Sequence, residues 1–368
     1  MSSAEWADGA SRAPGPPGFD LDHAGLKAWL QEDDPARLEL LWMEADRVRK
    51  ARVGDAVHLR GLIEVSSHCV RHCLYCGLRA PTVELERFRM EADEILACAQ
   101  EAHRLGYGSV VLQAGEDPGL TKAFITEVVR AIKGDTPLAV TLSLGERDDE
   151  ELREWKAAGA DRYLLRFETT DPVLYRRIHP NLPGVPSDRF AQLQRMRTMG
   201  YEIGTGVMVG IPGQTWDTLA SDILRFREFD MDMIGVGPFL PSPRTPLGGQ
   251  GVAAFLAAPS DQVPNDELTT LKAVALTRLV CPDSNIPSTT ALATLDQARG
   301  RELGLLRGAN VVMPNVTPVH YRIRYEIYPG KACVNETAEA CQDCLDGRIR
   351  SLGRSLGKGP GGRSSRAM

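Results

Sequence analysis

Two rhythms of apolar and polar positions alternate along most of this chain. From Val57 onward, short apolar runs are each followed by a longer stretch whose apolar residues recur three and four positions apart. The first rhythm is that of a buried strand, the second that of an amphipathic helix. Predicted strands are Val57–Val65, Ser109–Gln113, Ala139–Leu144, Arg162–Phe167, Gly204–Val209, Met233–Phe239, Ile286–Thr290 and Asn310–Met313. Between them, Glu91–Leu105 puts Ile95, Cys98, Ala99, Ala102 and Leu105 on one helical face, and Gln214–Phe229 and Asp266–Val280 follow the same pattern. Eight strand–helix alternations over about 250 residues match the size and rhythm of a (β/α)8 barrel. A doubly wound open sheet is the other α/β solution, but no dinucleotide glycine fingerprint supports it.

Ahead of the barrel, two helices are expected between Leu21 and Val53, the second opening at Asp34-Pro35 with a cap residue and a first-turn proline. The segment 1–20 is rich in Ala, Ser, Gly and Pro without the apolar stretch of a secretory signal, so disorder is expected there. A Gly/Arg/Ser-rich tail from Ser355 to Met368 reads the same way. The expected organisation is thus N-terminal helices over 21–56, a TIM-type α/β barrel over 57–315, a C-terminal extension over 316–354 and a flexible tail over 355–368.

Composition narrows the class. Of 368 residues, 43 are Lys or Arg and 49 Asp or Glu, for a net charge of −6, which gives neither nucleic acid nor an anionic membrane a positive footprint. No run approaches the roughly 18 consecutive apolar residues of a membrane span. The 8 cysteines are the one excess: three lie within 69–76 and three within 333–344. In a chain of this size without a secretory signal, such clusters point to a cytoplasmic, metal-binding protein in place of a disulfide framework. Several strands also end in polar or glycine-rich turns (113–117, 143–146, 166–169, 210–213, 288–290), which a parallel barrel gathers at one mouth. Each alone would read as an ordinary turn.

Cys69-Val-Arg-His-Cys73-Leu-Tyr-Cys76 is the sharpest feature. Three thiolates on one short loop can ligate three irons of a cubane, where closed clusters take four cysteines. One iron is then open to another ligand. A zinc site would need a fourth ligand, with His68 and His72 as candidates, but zinc pairs are usually separated by a longer loop.

This motif, with Tyr75 before its last cysteine, resembles the signature of the radical S-adenosylmethionine (SAM) superfamily. Beyond the cysteines, the chain resembles the [FeFe]-hydrogenase maturase family HydE within it. Blocks carrying that resemblance are Glu64–Arg79, Val111–Pro118, Thr141–Glu146, Asp161–Thr169, Met208–Thr215, Gly235–Pro241, Pro282–Pro287, Asn310–Asn315 and Tyr328–Lys331. Biotin synthase and methylornithine synthase share the core architecture and are the competing families.

The resemblance implies a [4Fe–4S] cluster on Cys69, Cys73 and Cys76, with SAM bound through its amino and carboxylate groups at the open iron. Tyr75, Gln113, Gly115, Glu116, Ser143, Glu168, Arg189 and Met208 are the implied SAM contacts, a guanidinium suiting a carboxylate because its fork bonds both oxygens. Glu168 with Arg166 would otherwise read as a buried structural ion pair. Ala114 and Phe167 stand where relatives often carry Ser and His, and 183–186 resembles an inserted loop just before Arg189. Thr141, Arg162, Thr289, Thr290, Met313, Tyr325 and Tyr328 are the implied substrate residues, although Thr289-Thr290 alone is ordinary strand sequence and Met313 ordinary core filler. Cys333, Cys341 and Cys344 correspond to an optional second iron–sulfur cluster, [2Fe–2S] or [4Fe–4S], that only some relatives carry; their spacing also suits zinc. Cys98 and Cys281 read as packing, and His23, His58, His103, His179 and His320 form no ligand spacing.

The implied activity is reductive cleavage of SAM to a 5′-deoxyadenosyl radical, which attacks the sulfur of a cysteine-bound Fe(CO)2(CN) precursor. Implied partners are a companion radical SAM maturase, a scaffold GTPase and an external electron donor. Alternatives are a biotin synthase- or methylornithine synthase-like enzyme acting on a small organic substrate, a non-catalytic iron–sulfur carrier, and a zinc-stabilised structural protein.

Overall fold

The computed structural model describes residues 18–363, so the parts of the expected disordered ends at 1–17 and 364–368 lie outside the described residues. Two capped helices lead in. Asp22 accepts a hydrogen bond from the Gly25 N–H at the start of α1 (His23–Gln31), and Asp34 accepts from Ala36 at the start of α2 (Pro35–Val53), with Pro35 in its first turn. Phe19, inside the segment expected to be disordered, stacks on Trp29 at 4.9 Å and is part of the packed structure.

The alternation then runs β1 (Ala56–Ser66), α3 (Ala92–Arg104), β2 (Ser109–Ala114), α4 (Lys122–Asp135), β3 (Ala139–Ser143) and α5 (Asp149–Ala158). It continues through β4 (Arg162–Leu164), α6 (Pro172–Ile178), α7 (Arg189–Thr198), β5 (Glu202–Val209), α8 (Trp216–Glu228) and β6 (Met233–Pro238). Last come α9 (Glu267–Val280), α10 (Thr290–Leu295), α11 (Gly300–Leu306), β7 (Val311–Val312), α12 (Val319–Arg322), α13 (Ala338–Ser351) and β8 (Ser355–Leu356). All ladders are parallel, in the order β6-β5-β4-β3-β2-β1-β7, with β8 also on β1. The fold is an α/β barrel of TIM type. No described helix is long and apolar enough to cross a membrane.

One expected strand does not form. Ile286–Thr290 makes no ladder; single bridges join Asn285 to Met233 and Pro287 to Val311, and Thr289 already caps α10. Pro287 has no N–H to donate, and the Thr289 hydroxyl accepts the Leu292 N–H, so local chemistry favours a cap over a strand. β4 is also shorter than expected, ending at Leu164.

Helices bury the outer face of the sheet, with Ile95, Cys98, Ala99 and Ala102 of α3 all inside, and Cys281 is buried too. Gly61 marks that outer face, because a Cβ there would press on Ala102 of α3 at 3.0 Å. Its neighbours Arg60, Leu62 and Glu64 therefore point into the barrel. Register then stacks Leu62, Val111, Thr141, Arg162 and Glu202 in one layer, with Glu64, Gln113 and Ser143 in the layer above. Most TIM-type interiors are filled by branched apolar residues; here the lining is polar and charged, suited to a ligand chamber.

The expected flexible tail is, over 355–363, part of the fold. Ser355 and Leu356 pair with Ala56 and Val57. Beyond them the Gly361 carbonyl accepts from Arg60 Nη2 at 3.0 Å, and the Pro360 carbonyl accepts from Arg162 Nη2 at 3.0 Å. Composition suggested flexibility, but glycines also let backbone come close enough to supply acceptors to buried guanidinium groups. This segment closes the N-terminal end of the barrel.

Candidate active site at the C-terminal mouth of the barrel

Beyond the end of β1, the cysteine loop is held mainly by backbone bonds. Val70 N–H donates to Glu116 O (2.9 Å), Leu74 N–H to Ile178 O (2.8 Å) and Gly77 N–H to Ile327 O (2.7 Å). Arg87 donates to the carbonyls of Ser67 (2.6 Å), Leu78 (2.9 Å) and Arg79 (2.8 Å), acting as a spool for the loop. Gly115 must be glycine for steric reasons: a Cβ would collide with His68 O and with Cys69 Cβ.

Cys73 is buried, Cys69 and Cys76 half-buried. Burial raises all three thiols above their ordinary value, Cys73 to about 12. Cys69 Sγ nevertheless accepts from the N–H groups of Arg71 and Glu116, each at 3.4 Å, the environment of a thiolate acceptor. Buried sulfurs supplied with donors fit ligands whose charge a metal offsets. Among the described residues no group of three or more His, Cys, Asp or Glu side chains is already set as the ligands of a single ion. A thiolate-only trio spread along a loop fits the corners of an iron–sulfur cluster.

Around this loop the strand ends bring the expected SAM contacts together. Glu116 accepts from Arg71 Nε (2.7 Å) and from the Glu146 N–H (3.0 Å). Gln113 donates to the Tyr325 hydroxyl at 3.3 Å, and Ser143 ends β3 beside it in register. Glu168 is 4% exposed, has φ of 64°, and accepts from Arg166 Nε at 3.1 Å on both oxygens. A non-glycine residue in the left-handed region costs on the order of 1–3 kcal/mol and is typical of ligand sites. Arg189, 9% exposed, donates to Glu146 Oε1 (2.9 Å) and Arg166 O (2.5 Å) and meets His179 Nε2 at 2.6 Å. Burial and the Arg189 charge pull His179 down to about 2, so its ring is a neutral acceptor for that guanidinium. Met208 and Tyr75 join Leu74 around a small apolar cluster of Leu174, Ile178, Ile211, Phe239 and Leu247.

The expected substrate residues fall into two groups. Thr141 and Arg162 sit low in the barrel with Arg60 and Glu202, where Arg162 Nε donates to Glu202 at 2.6 Å and Thr141 Oγ1 is buried with no hydrogen-bond partner among the described residues. Thr290 and Met313 line a recess with Leu62, Glu64 and Lys331. There Lys331 Nζ pairs with Glu64 Oε1 at 2.7 Å and lies over the Tyr325 ring. Thr289 is occupied in capping α10, and burial holds the Tyr328 phenol above its ordinary value.

Cys333, Cys341 and Cys344 line an outer cavity of about 330 Å³ with Arg301 and Arg348. A hydrogen bond with Cys341 and the nearby Arg301 charge hold the Cys333 thiol below its ordinary value. Sequence reasoning did not assign Arg71, Glu146 or His179. The first two lie inside the segments 64–79 and 141–146 that carry the family resemblance, as charges beside its motifs; nothing in sequence marks His179. Arg60 had a signal, a cation in the middle of an apolar strand.

The radical SAM superfamily profile matches residues 63–225. The [FeFe] hydrogenase maturase subunit HydE of Thermotoga maritima is 46% identical over 338 residues, covering 92% of both chains. 3-Methylornithine synthase of Methanosarcina acetivorans is 30% identical, covering 80% of this chain and 79% of the relative. The crystal structure of a methylornithine synthase superposes with a TM-score of 0.75 at 23% identity, covering 93% of this chain and 95% of the other, and so shares the fold. A three-cysteine loop at the mouth of a polar barrel, and a relative matched almost end to end, lead to one assignment: the chain belongs to the HydE family of [FeFe]-hydrogenase maturases, within the radical SAM superfamily.

Proposed function

We propose that this enzyme converts a cysteine-bound Fe(CO)2(CN) precursor into an intermediate on the way to the diiron subcluster of [FeFe] hydrogenase. What supports this reading is a short loop carrying Cys69, Cys73 and Cys76, one buried and two half-buried, in a chain 46% identical to HydE. Those cysteines would hold three irons of a [4Fe–4S] cluster. When bound, the cluster supplies the one electron, drawn from an external donor, that splits SAM into methionine and a 5′-deoxyadenosyl radical. Arg189 has N–H groups beyond those it gives Glu146, Arg166 and His179, and these suit the SAM carboxylate. Gln113, Gly115 and Glu116 would receive the amino group. Ser143 and Glu168 would meet the amino-acid and ribose parts, with Met208 and Tyr75 against the adenine.

Below, Thr141, Arg162, Thr290, Met313, Tyr325 and Tyr328, with Thr289 at the α10 cap, would orient the precursor and keep water from the radical. Divalent sulfur accepts the carbon radical: a C–S bond forms and the unpaired electron passes to the iron-containing adduct. The product would go to a scaffold GTPase and the precursor would come from a companion radical SAM maturase, all in the cytoplasm. Residues 57–315 would form the catalytic domain, and Cys333, Cys341 and Cys344 of the 316–354 extension an optional second cluster site.

The test is anaerobic turnover of cluster-loaded protein with SAM, dithionite and the precursor, followed by mass spectrometry. Deoxyadenosine covalently attached to a sulfur-containing product is expected. Free deoxyadenosine from hydrogen abstraction would overturn the sulfur step in favour of chemistry like that of biotin or methylornithine synthase. Absence of SAM cleavage would leave only a carrier role.

A further inference from the structure

Glu146 lies at the centre of a buried charge network joining the cysteine loop to the guanidinium assigned to SAM. Its Oε1 accepts from Arg189 Nε at 2.9 Å and from Ser187 Oγ at 2.6 Å. Its Oε2 faces Arg71 Nη2 at 3.3 Å. Arg71 stands between Cys69 and Cys73 and gives its Nε to Glu116, whose other oxygen accepts the Glu146 N–H. Arg71, Glu116, Glu146 and Arg189 thus form one connected unit. All four side chains are at most 13% exposed, which limits solvent screening. Gly145, at φ 79°, lets the chain turn there; a Cβ would strike the Glu116 side chain at 2.8 Å.

We propose that Glu146 is a positioning residue that couples order in the cluster loop to SAM affinity. One carboxylate answers two guanidinium groups. Arg71 moves with the cysteine loop, and Arg189 presents its remaining N–H groups to the ligand carboxylate. When the loop is ordered by its metal, Arg71 fixes one oxygen of Glu146. The other then holds Arg189 against His179, which accepts as a neutral ring. Without that anchor, the Arg189 side chain has to be ordered when the ligand binds, and affinity falls by that cost. The inference rests on the assignment of Arg189 to SAM.

The experiment is a SAM titration of the anaerobically loaded, reduced protein, followed by the change SAM causes in the electron paramagnetic resonance spectrum of the cluster. Glu146→Gln keeps an acceptor for Arg189 and removes the charge. Its expected signature is a SAM dissociation constant raised about tenfold, with the spectrum at saturation and the substrate-free cleavage rate at saturating SAM close to wild type. Iron content should be unchanged. Glu146→Asp, which retains the charge, should recover part of the affinity, and it serves as the second variant if the glutamine form does not fold. Wild-type affinity in both variants would overturn the inference, as would loss of iron in parallel with loss of SAM binding, which would make Glu146 a support of the loop alone. If the wild-type spectrum itself does not respond to SAM, the Arg189 assignment fails first.

Discussion

Glu64 and Lys331 meet across the barrel wall with side chains 1% and 9% exposed, 2.7 Å apart. Burial pushes the Glu64 carboxyl above its ordinary range while Lys331 opposes that shift, so each charge depends on the other. Breaking such a pair costs about 3–5 kcal/mol, whereas replacing both partners by apolar groups is often neutral. Urea denaturation should therefore show Glu64→Leu and Lys331→Met each destabilised by about 3 kcal/mol, and the double variant much closer to wild type. Additive losses would mean the pair is not coupled. At this scale the sequence was legible where chemistry is rare and local: three cysteines in eight positions have few meanings. It was silent where function depends on contacts far apart in the chain. Lys331 and Glu64 are 267 residues apart, and His179 becomes a partner of Arg189 only after an intervening turn folds back.

Elements follow their periodicity wherever one face is apolar and the other polar, and most expected strands form within one or two residues of their predicted bounds. Two departures share a cause. At 286–290 the β-branched residues Ile286, Thr289 and Thr290 predicted a strand, but a proline and a capping threonine decided otherwise. At 355–363 the glycine-rich composition predicted freedom, but buried guanidinium groups needed acceptors. Periodicity reports burial, not where backbone donors and acceptors will be used. Gly108 tests the tail directly, because it packs against Gly359 so closely that a Cβ would strike the Gly359 carbonyl. Gly108→Val should displace residues 355–363 while leaving the helices intact. The expected readout is faster amide exchange in 355–363 and in Ala56–Val57, with an unchanged far-ultraviolet dichroism spectrum. Protection equal to wild type would show that the tail does not depend on that contact.

Across the whole molecule, the barrel separates two tasks by end. Its C-terminal mouth carries the cysteine loop and the charge network, while its N-terminal end is closed by backbone carbonyls over Arg60 and Arg162. Positive charge shut in at that end has a consequence for pH. His58, on β1 beneath Gly357 and Gly361, has a buried Nδ1 with no hydrogen-bond partner among the described residues. Burial first, then Arg60 and Arg162, lowers it from 6.5 to about 4. Between those values the unfolded chain takes up a proton that the folded one refuses. Stability from this group is thus complete above pH 6.5 and falls as the pH drops towards 4, by up to about 1.4 kcal/mol per pH unit. His179, also held neutral by burial, loses stability in the same direction. Unfolding free energies measured in urea from pH 7 to pH 5 should therefore decline more steeply for wild type than for His58→Gln. The variant should retain only the part due to His179 and other groups. Parallel slopes would mean that His58 can be protonated in place, and that the N-terminal end of the barrel is open to solvent.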